Sequence, residues 1–500
     1  MSVAWLASTE PSSGATPSAR SLARHAAWNY GALALQLGSS LALVALAFRR
    51  LPDAQVGQFA LAAVTVGLVQ ILDPAAGYVM STVVAERDAG RPAQDQVLHD
   101  VQAGLRTVAV GLATVTALGV LLAGGLTATF DGPAVVMVAG VALAGCVALA
   151  SASLPATAVG LGDYRGLCGA SAITAGATLA VAWLLLTPTG LAALGLALLA
   201  GQVGGRAWLL WRLRHEPSRI PAPTGLAGLA AVRALWRSCG SIYLSALAAQ
   251  LLSFSDLWTV GALRGAGPAA AYRAGSMIPT QAASLFYRVY DVLYPRLPRM
   301  RAAASQERAI ALASRVFCAS AGCMFTALFL ERDPLTRALV GRPDVLTQQV
   351  FAVFCLIWLV NVPVHGLSLL LISRGRNRVL TPVVLVEAGT NIVVSIGLVV
   401  LLGPIGAAVG TLATMAISNL VVMPWIIRDL VPGALRTTGL GAACCLLGVG
   451  VGAALQTPAA VTVHGLPGAA AVGAAALLSI AAAVWVAAGR AGRQILRAHA

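Results

Sequence analysis

From Trp28 onward, apolar stretches long enough to cross a bilayer follow one another almost without pause. A spanning helix needs about 20 apolar residues, because the hydrocarbon core is about 30 Å thick and each helical residue rises about 1.5 Å. The pattern predicts about fourteen such helices. They fall at residues 28–48, 56–83, 105–126, 134–160, 167–187, 190–211, 239–263, 269–294, 309–330, 349–372, 379–402, 404–427, 437–456 and 466–488. Composition points the same way. Of 500 residues, 58% are hydrophobic and only 10% charged, with a mean hydropathy of +0.83. A water-facing surface draws on roughly 25% charged residues, so lipid must solvate most of this chain. The predicted class is an all-α integral membrane protein.

A net charge of +15 would suit a nucleic-acid binder, so the placement of the charge decides. All 33 basic residues are Arg, and the chain has no Lys. With the N-terminus inside, 24 arginines fall in cytoplasmic segments and 7 in outer ones (Arg49, Arg50, Arg264, Arg273, Arg332, Arg337 and Arg342). The other two, Arg206 and Arg288, lie within helices. Cytoplasmic loops of membrane proteins carry such an excess. Both termini are therefore expected in the cytoplasm, and the basicity needs no nucleic-acid partner. An Arg-only chain rich in Ala, Gly and Val also suggests a GC-rich bacterial genome, and hence a bacterial inner membrane.

Residues Met1 to Arg20 are rich in Ser, Pro, Ala and Thr and read as a disordered tail. An internal repeat follows. Gly57-Gln58-Phe59-Ala60 and Ala270-Ala271-Tyr272-Arg273 open the second and eighth helices, their aromatics 213 positions apart. Gly162-Asp163-Tyr164-Arg165 and Gly375-Arg376-Asn377-Arg378 precede the fifth and eleventh, again 213 apart. Pro188-Thr189-Gly190 and Pro404-Ile405-Gly406 join the next pairs, 216 apart. The expected organisation is two parallel six-helix repeats forming two lobes, plus two further helices. The boundaries are a cytoplasmic tail at 1–27, an N-lobe at 28–213, a basic linker at 214–238 and a C-lobe at 239–428. The last two helices occupy 437–488, ahead of a basic tail at 489–500.

Several chemistries are closed to this chain. Without Lys there is no phosphate-loop lysine and no Schiff base. No His-Glu-x-x-His run occurs, and the eight cysteines sit unpaired in apolar stretches as small hydrophobes. The Glu86-Arg87-Asp88 and Glu331-Arg332-Asp333 triplets read as solvated loop charge. No organic cofactor and no metal is expected. A membrane glycosyltransferase or polymerase wants paired carboxylates on a sizeable outer loop. The longest outer loop, about Glu331 to Gln348, has no domain-scale length, so no enzyme is expected.

Four segments resemble the polysaccharide flippases of the multidrug/oligosaccharidyl-lipid/polysaccharide exporter superfamily. They are Arg50-Leu51-Pro52-Asp53-Ala54-Gln55-Val56-Gly57-Gln58-Phe59; Asp256-Leu257-Trp258-Thr259-Val260 followed by Ala271-Tyr272-Arg273-Ala274; Tyr294-Pro295-Arg296-Leu297-Pro298-Arg299; and Asn391 through Gly403-Pro404-Ile405-Gly406-Ala407-Ala408-Val409-Gly410-Thr411. The resemblance runs from about Trp28 to Ile427. It implies two lobes in a V, a cavity lined by helices 1, 2, 7 and 8, and alternating access. The implied substrate is an undecaprenyl-pyrophosphate-linked oligosaccharide moved outward, with a polysaccharide polymerase or glycosyltransferases as partners. One departure concerns lipid II flippases, which carry several cations on the first helix. Here that helix has only Arg24 at its start, which ranks lipid II lower.

Charges inside a membrane are costly, about 2.5–3.5 kcal/mol at a helix centre, and mark functional candidates. Arg273 and Arg288 on the eighth helix are candidate ligands for a pyrophosphate, since guanidinium meets phosphate oxygens in a fork. Asp73 before Pro74 and Asp291 join them as substrate-binding candidates. Asp256 and Glu387 are the ion-coupling candidates, each able to take up a proton or pair with Na⁺. Structural alternatives stand beside each. Arg288 and Asp291, three apart, would neutralise one another. Arg273 would snorkel to outer headgroups, Asp73 would cap a helix break, Glu387 would be a packed hydrogen-bonding residue, and His365 would belong to a kink near Pro363. The rival functions are a cation-coupled drug or metabolite antiporter of the same superfamily and a non-transporting scaffold.

Overall fold

The computed structural model describes residues 19–70, 76–77, 79–81, 83–84, 95–125, 132–214, 228–293, 303–373, 377–431 and 433–459. Among them the regular elements are helical. In chain order they are α1 (Ala19–Arg50), α2 (Asp53–Gln70), α3 (Asp95–Gly125), α4 (Gly132–Ala150), α5 (Ser153–Gly160), α6 (Tyr164–Thr189), α7 (Ala192–Leu213) and α8 (Gly228–Arg264). Then follow α9 (Ala266–Leu293), α10 (Ala303–Leu330), α11 (Arg332–Val340), α12 (Val345–Ser373), α13 (Asn377–Leu402) and α14 (Ile405–Ile417). A π-helical turn at Ser418–Val422 leads into α15 (Met423–Ile427), and α16 spans Ala434–Ala459.

Nine helices among the described residues are long and apolar enough to cross a membrane. The chain is a multi-pass, all-α membrane protein. The predicted span at 134–160 is broken at Ser151–Ala152 into α4 and α5, and the segment 331–348, expected as a loop, contains α11. α8 starts at Gly228, so it takes in Arg233 and Arg237. Its 37 residues make it about 55 Å long, well beyond the hydrocarbon thickness. The span at 466–488, Asp73 and the Glu86-Arg87-Asp88 triplet lie outside the described residues.

The repeat is written in the helix starts. α2 and α9 begin at Asp53 and Ala266, α4 and α12 at Gly132 and Val345, α6 and α13 at Tyr164 and Asn377, and α7 and α14 at Ala192 and Ile405. Every one of these pairs is 213 residues apart. The turn glycines obey the same spacing: Gly190 (φ 56°) follows α6 and Gly403 (φ 75°) follows α13. The sequence pattern sets Gly190 against Gly406. The residue that must turn the chain through positive φ is Gly403, because a Cβ there is strained. Gly406 serves a different need, as an added Cβ would come within 2.1 Å of the Leu398 carbonyl oxygen. Matching contacts recur as well. Arg50 donates to Thr187 Oγ1 near the end of α6 (2.9 Å), and Arg264 donates to the carbonyls of Val399 and Val400 near the end of α13 (2.8 and 3.0 Å).

The chain divides into two compact units within α8, between Phe254 and Ser255. In the amino-terminal unit, Met80, Leu98, Val101, Leu105, Leu149 and Leu235 form one buried cluster. α4 and α7 cross at Gly140 and Gly195, where an added Cβ on Gly195 would meet the Met137 carbonyl oxygen at 2.3 Å. Small residues let backbones approach this closely in lipid, where packing replaces the hydrophobic effect between helices. Asp163 caps α6 by accepting from the Gly166 amide (3.0 Å) and pairs with Arg212 of α7 (3.1 Å). In the carboxy-terminal unit, Val364, Leu367, Leu370, Met423 and Ile427 build a core. α16 packs on α10 through Gly448 and Gly322, so the first helix beyond the repeat is docked to this unit.

Candidate functional site

Asp256 lies eight residues before the end of α8 and is fully buried, at 0% exposure. Among the described residues no basic side chain pairs with it. Its charge is met by neutral donors from three other helices. Tyr272 of α9 donates its hydroxyl to Oδ2 (2.8 Å). Asn391 Nδ2 and Ser395 Oγ of α13 donate to Oδ1 (3.3 and 3.0 Å). Thr411 of α14 donates its hydroxyl to Oδ2. Hydrogen bonds to a charged group contribute about 1.5–3 kcal/mol each, and several are needed before a lone carboxylate is tolerated away from water.

The elements place these groups by simple periodicities. Asn391 and Ser395 are four apart, so they share one face of α13. Tyr272 is fixed by an edge-on contact with Phe354 of α12, with ring centroids 5.8 Å apart and planes at 82°. Small residues of α14 let its backbone approach, and the Ala407 carbonyl joins the network 3.3 Å from Ser395 Oγ.

Counting protons exposes a shortage. Ser395 Oγ lies within hydrogen-bonding distance of Asp256 Oδ1, Asn391 Oδ1 and the Ala407 carbonyl. Thr411 Oγ1 contacts Asp256 Oδ2 and, at 2.9 Å, Asn391 Oδ1. Two hydroxyl protons serve five oxygen–oxygen contacts. A positive charge at this spot, whether a proton or one monovalent cation, would relieve the crowding of lone pairs and balance the single carboxylate.

Arg273 directly follows Tyr272. Its side chain is part-buried and forms no ion pair or hydrogen bond among the described residues; only its carbonyl is engaged, by Ser276 Oγ (3.0 Å). Arg288 and Asp291 lie on α9, but their side chains fall outside the described residues. Glu387 of α13 is 8% exposed and accepts from Ser418 Oγ at 2.9 Å, apart from the Asp256 network. His365 lies on α12, two residues after Pro363. Asp333 pairs with Arg337 (2.9 Å) and accepts from Gln348 Nε2, which ties α11 to the start of α12. The sequence singles out Asp256 as a candidate but not the residues that surround it. Tyr272, Asn391 and Thr411 did lie inside the motifs of the family resemblance, and the four-residue spacing of Asn391 and Ser395 in an apolar helix was the available signal.

No protein-family model matches the sequence, and no curated protein sequence matches it. Solved structures do match. The lipid II flippase MurJ in an inward closed conformation aligns with a TM-score of 0.59 at 12% identity, covering 92% of this chain and 99% of that one. An outward-facing multidrug resistance MATE family transporter of the MOP superfamily aligns with a TM-score of 0.55 at 14% identity, covering 87% of this chain and 98% of that one. A MOP superfamily transporter from Pyrococcus furiosus, described by the reverse polarity of its binding pocket, gives 0.50 at 13% identity, covering 83% and 96%. These neighbours are transporters and flippases. The chain shares the fold of the MOP-superfamily transporters.

Proposed function

We propose that this protein is a cation-coupled transporter that moves an undecaprenyl-pyrophosphate-linked oligosaccharide outward across a bacterial inner membrane, with both termini cytoplasmic. The observation that carries this reading is the adjacency of Tyr272 and Arg273. One residue holds the Asp256 carboxylate at 2.8 Å, and the next presents a guanidinium with no partner among the described residues. In sequence neighbours on one rigid helix, a cation-binding group and an anion-binding group are mechanically linked. A proton or Na⁺ arriving at Asp256 changes the contacts of Tyr272, and a shift of α9 carries Arg273 with it.

Arg273 suits a phosphate because its fork matches two oxygens at once. Arg288, fifteen residues further along α9 and therefore about 22 Å away along the axis, would serve a pyrophosphate on the other side of the membrane. Asp73 and Asp291 are the remaining candidate contacts with substrate. MATE neighbours support a second reading, an antiporter for drugs or metabolites. A guanidinium with no ion-pair partner among the described residues repels a cationic substrate, which disfavours it. Lipid II, named for the MurJ neighbour, is disfavoured by a first helix whose arginines before its last turn are Arg20 and Arg24, both at its start.

The test is a bacterial strain lacking this gene. Loss of surface glycan, with lipid-linked oligosaccharide accumulating on the inner leaflet and rescue by the wild type but not by Arg273→Ala, is the expected result. Normal glycan together with altered drug tolerance would favour the antiporter.

A further inference from the structure

Glu387, Asn391 and Ser395 are spaced by four along α13, so they form one stripe on one face of the helix. Glu387 sits one turn, about 6 Å, from Asn391 of the Asp256 network. All three side chains are buried. Glu387 has one hydrogen bond among the described residues, from Ser418 Oγ (2.9 Å), and no basic partner. A single hydroxyl is too little for a bare buried carboxylate, since an uncompensated charge in this setting is strongly unfavourable.

The amino-terminal unit shows the same positions closely packed. At a spacing of 213, Glu387 and Ser418 correspond to Thr174 and Gly205, and Asn391 and Thr414 to Thr178 and Gly201. There the helices are shut tight. A Cβ added to Gly205 would come within 2.1 Å of Thr174 Oγ1, and one added to Gly201 within 2.1 Å of Thr178 Oγ1. In the carboxy-terminal unit, the same seam is held by Glu, Asn, Ser and Thr. The backbone is altered there too, because α14 passes into the π turn at Ser418–Val422 just ahead of Pro424, which cannot donate and clashes with the carbonyl four residues earlier. The wider turn leaves the consecutive residues Ser418 and Asn419 both buried. Ser418 binds Glu387 on α13, and Asn419 binds Asn361 on α12 (3.3 Å).

We propose that Glu387 is a second station for the coupling cation, which travels between it and Asp256 along the polar stripe of α13. This rests on the reading of Asp256 as the coupling site and adds a route to it. Glu387 is the station nearer the Asn377 end of the helix, the cytoplasmic end in the proposed topology. Among the elements packed on or bonded to α13, α14 and the π turn carry no titratable side chain. α12 carries Cys355 and His365, and α8 contributes Asp256 and, at the far end of α13, Arg264.

The test uses the full-length protein in sided membrane vesicles. It follows the infrared carboxyl signal that Asp256→Asn abolishes, after a jump in Na⁺ or in proton concentration on one face. In Glu387→Gln this signal should respond at least about tenfold more slowly to a jump on the Asn377 face and at the wild-type rate to a jump on the opposite face. Glu387→Asp should be intermediate. Equal rates from the two faces in Glu387→Gln would overturn the proposal. So would equal slowing from both faces in Glu387→Gln and Glu387→Asp, which marks a structural role. If no wild-type signal assigned to Asp256 responds to either ion, the coupling-site reading itself fails, and the relay falls with it.

Discussion

Tyr272 donates its hydroxyl to Asp256 across 2.8 Å and so links α8 to α9 within the buried network. Tyr272→Phe removes that donor while keeping the ring against Phe354. A hydrogen bond to a charged group contributes about 1.5–3 kcal/mol, so Phe should change the affinity for the coupling cation by about tenfold or more. Protein abundance should stay near wild type. Cation titration of the purified protein measures this directly, and an unchanged affinity would detach Tyr272 from the coupling step.

Arg273 should tolerate Lys in part and Ala poorly, because Lys keeps the charge and loses the fork. The readout is surface glycan at equal protein abundance. If Arg273→Ala exports glycan as well as the wild type, the side chain is a headgroup anchor and not a substrate ligand.

The crossing of α4 and α7 at Gly140 and Gly195 should be intolerant of bulk. Gly195→Leu drives a side chain into the Met137 backbone, so it should destabilise the protein by about 3 kcal/mol. Thermal unfolding in detergent reads the loss. Gly176, where an added Cβ meets nothing within 4 Å, is the control position, and Gly176→Ala should be near neutral.

Much of the fold was legible because lipid imposes a simple rule. Hydropathy located the spanning helices, and two pairs of motifs at a spacing of 213 exposed the repeat. The third pair was set three residues off, since Pro404-Ile405-Gly406 looks more like Pro188-Thr189-Gly190 than the true turn does. Only backbone geometry shows that Gly403 takes the positive φ. At the site, Asp256 was visible as a charge in an apolar run. Its partners were not, because Asn391 and Thr411 stand 135 and 155 residues away and are neutral residues of kinds that occur on many spanning helices. What assembles them is the packing of four helices, which no local pattern encodes.

The proposed topology is open to a direct check. Reporter fusions after Ala500 and within residues 215–227 should report the cytoplasm, following the 24-to-7 arginine asymmetry. A periplasmic signal from either would reverse the assignment of Glu387 to the cytoplasmic side.

The central claim is that export of an anionic lipid-linked glycan is coupled to a cation at Asp256. Flipping of a pyrophosphate-linked oligosaccharide by the full-length protein in liposomes tests it most directly, with Na⁺ and proton gradients imposed in turn. The wild type should flip faster under one of the two gradients than under neither, and Asp256→Asn should lose that acceleration while still inserting and accumulating. Flipping by Asp256→Asn at the wild-type rate, with the same response to the gradient, would contradict the account.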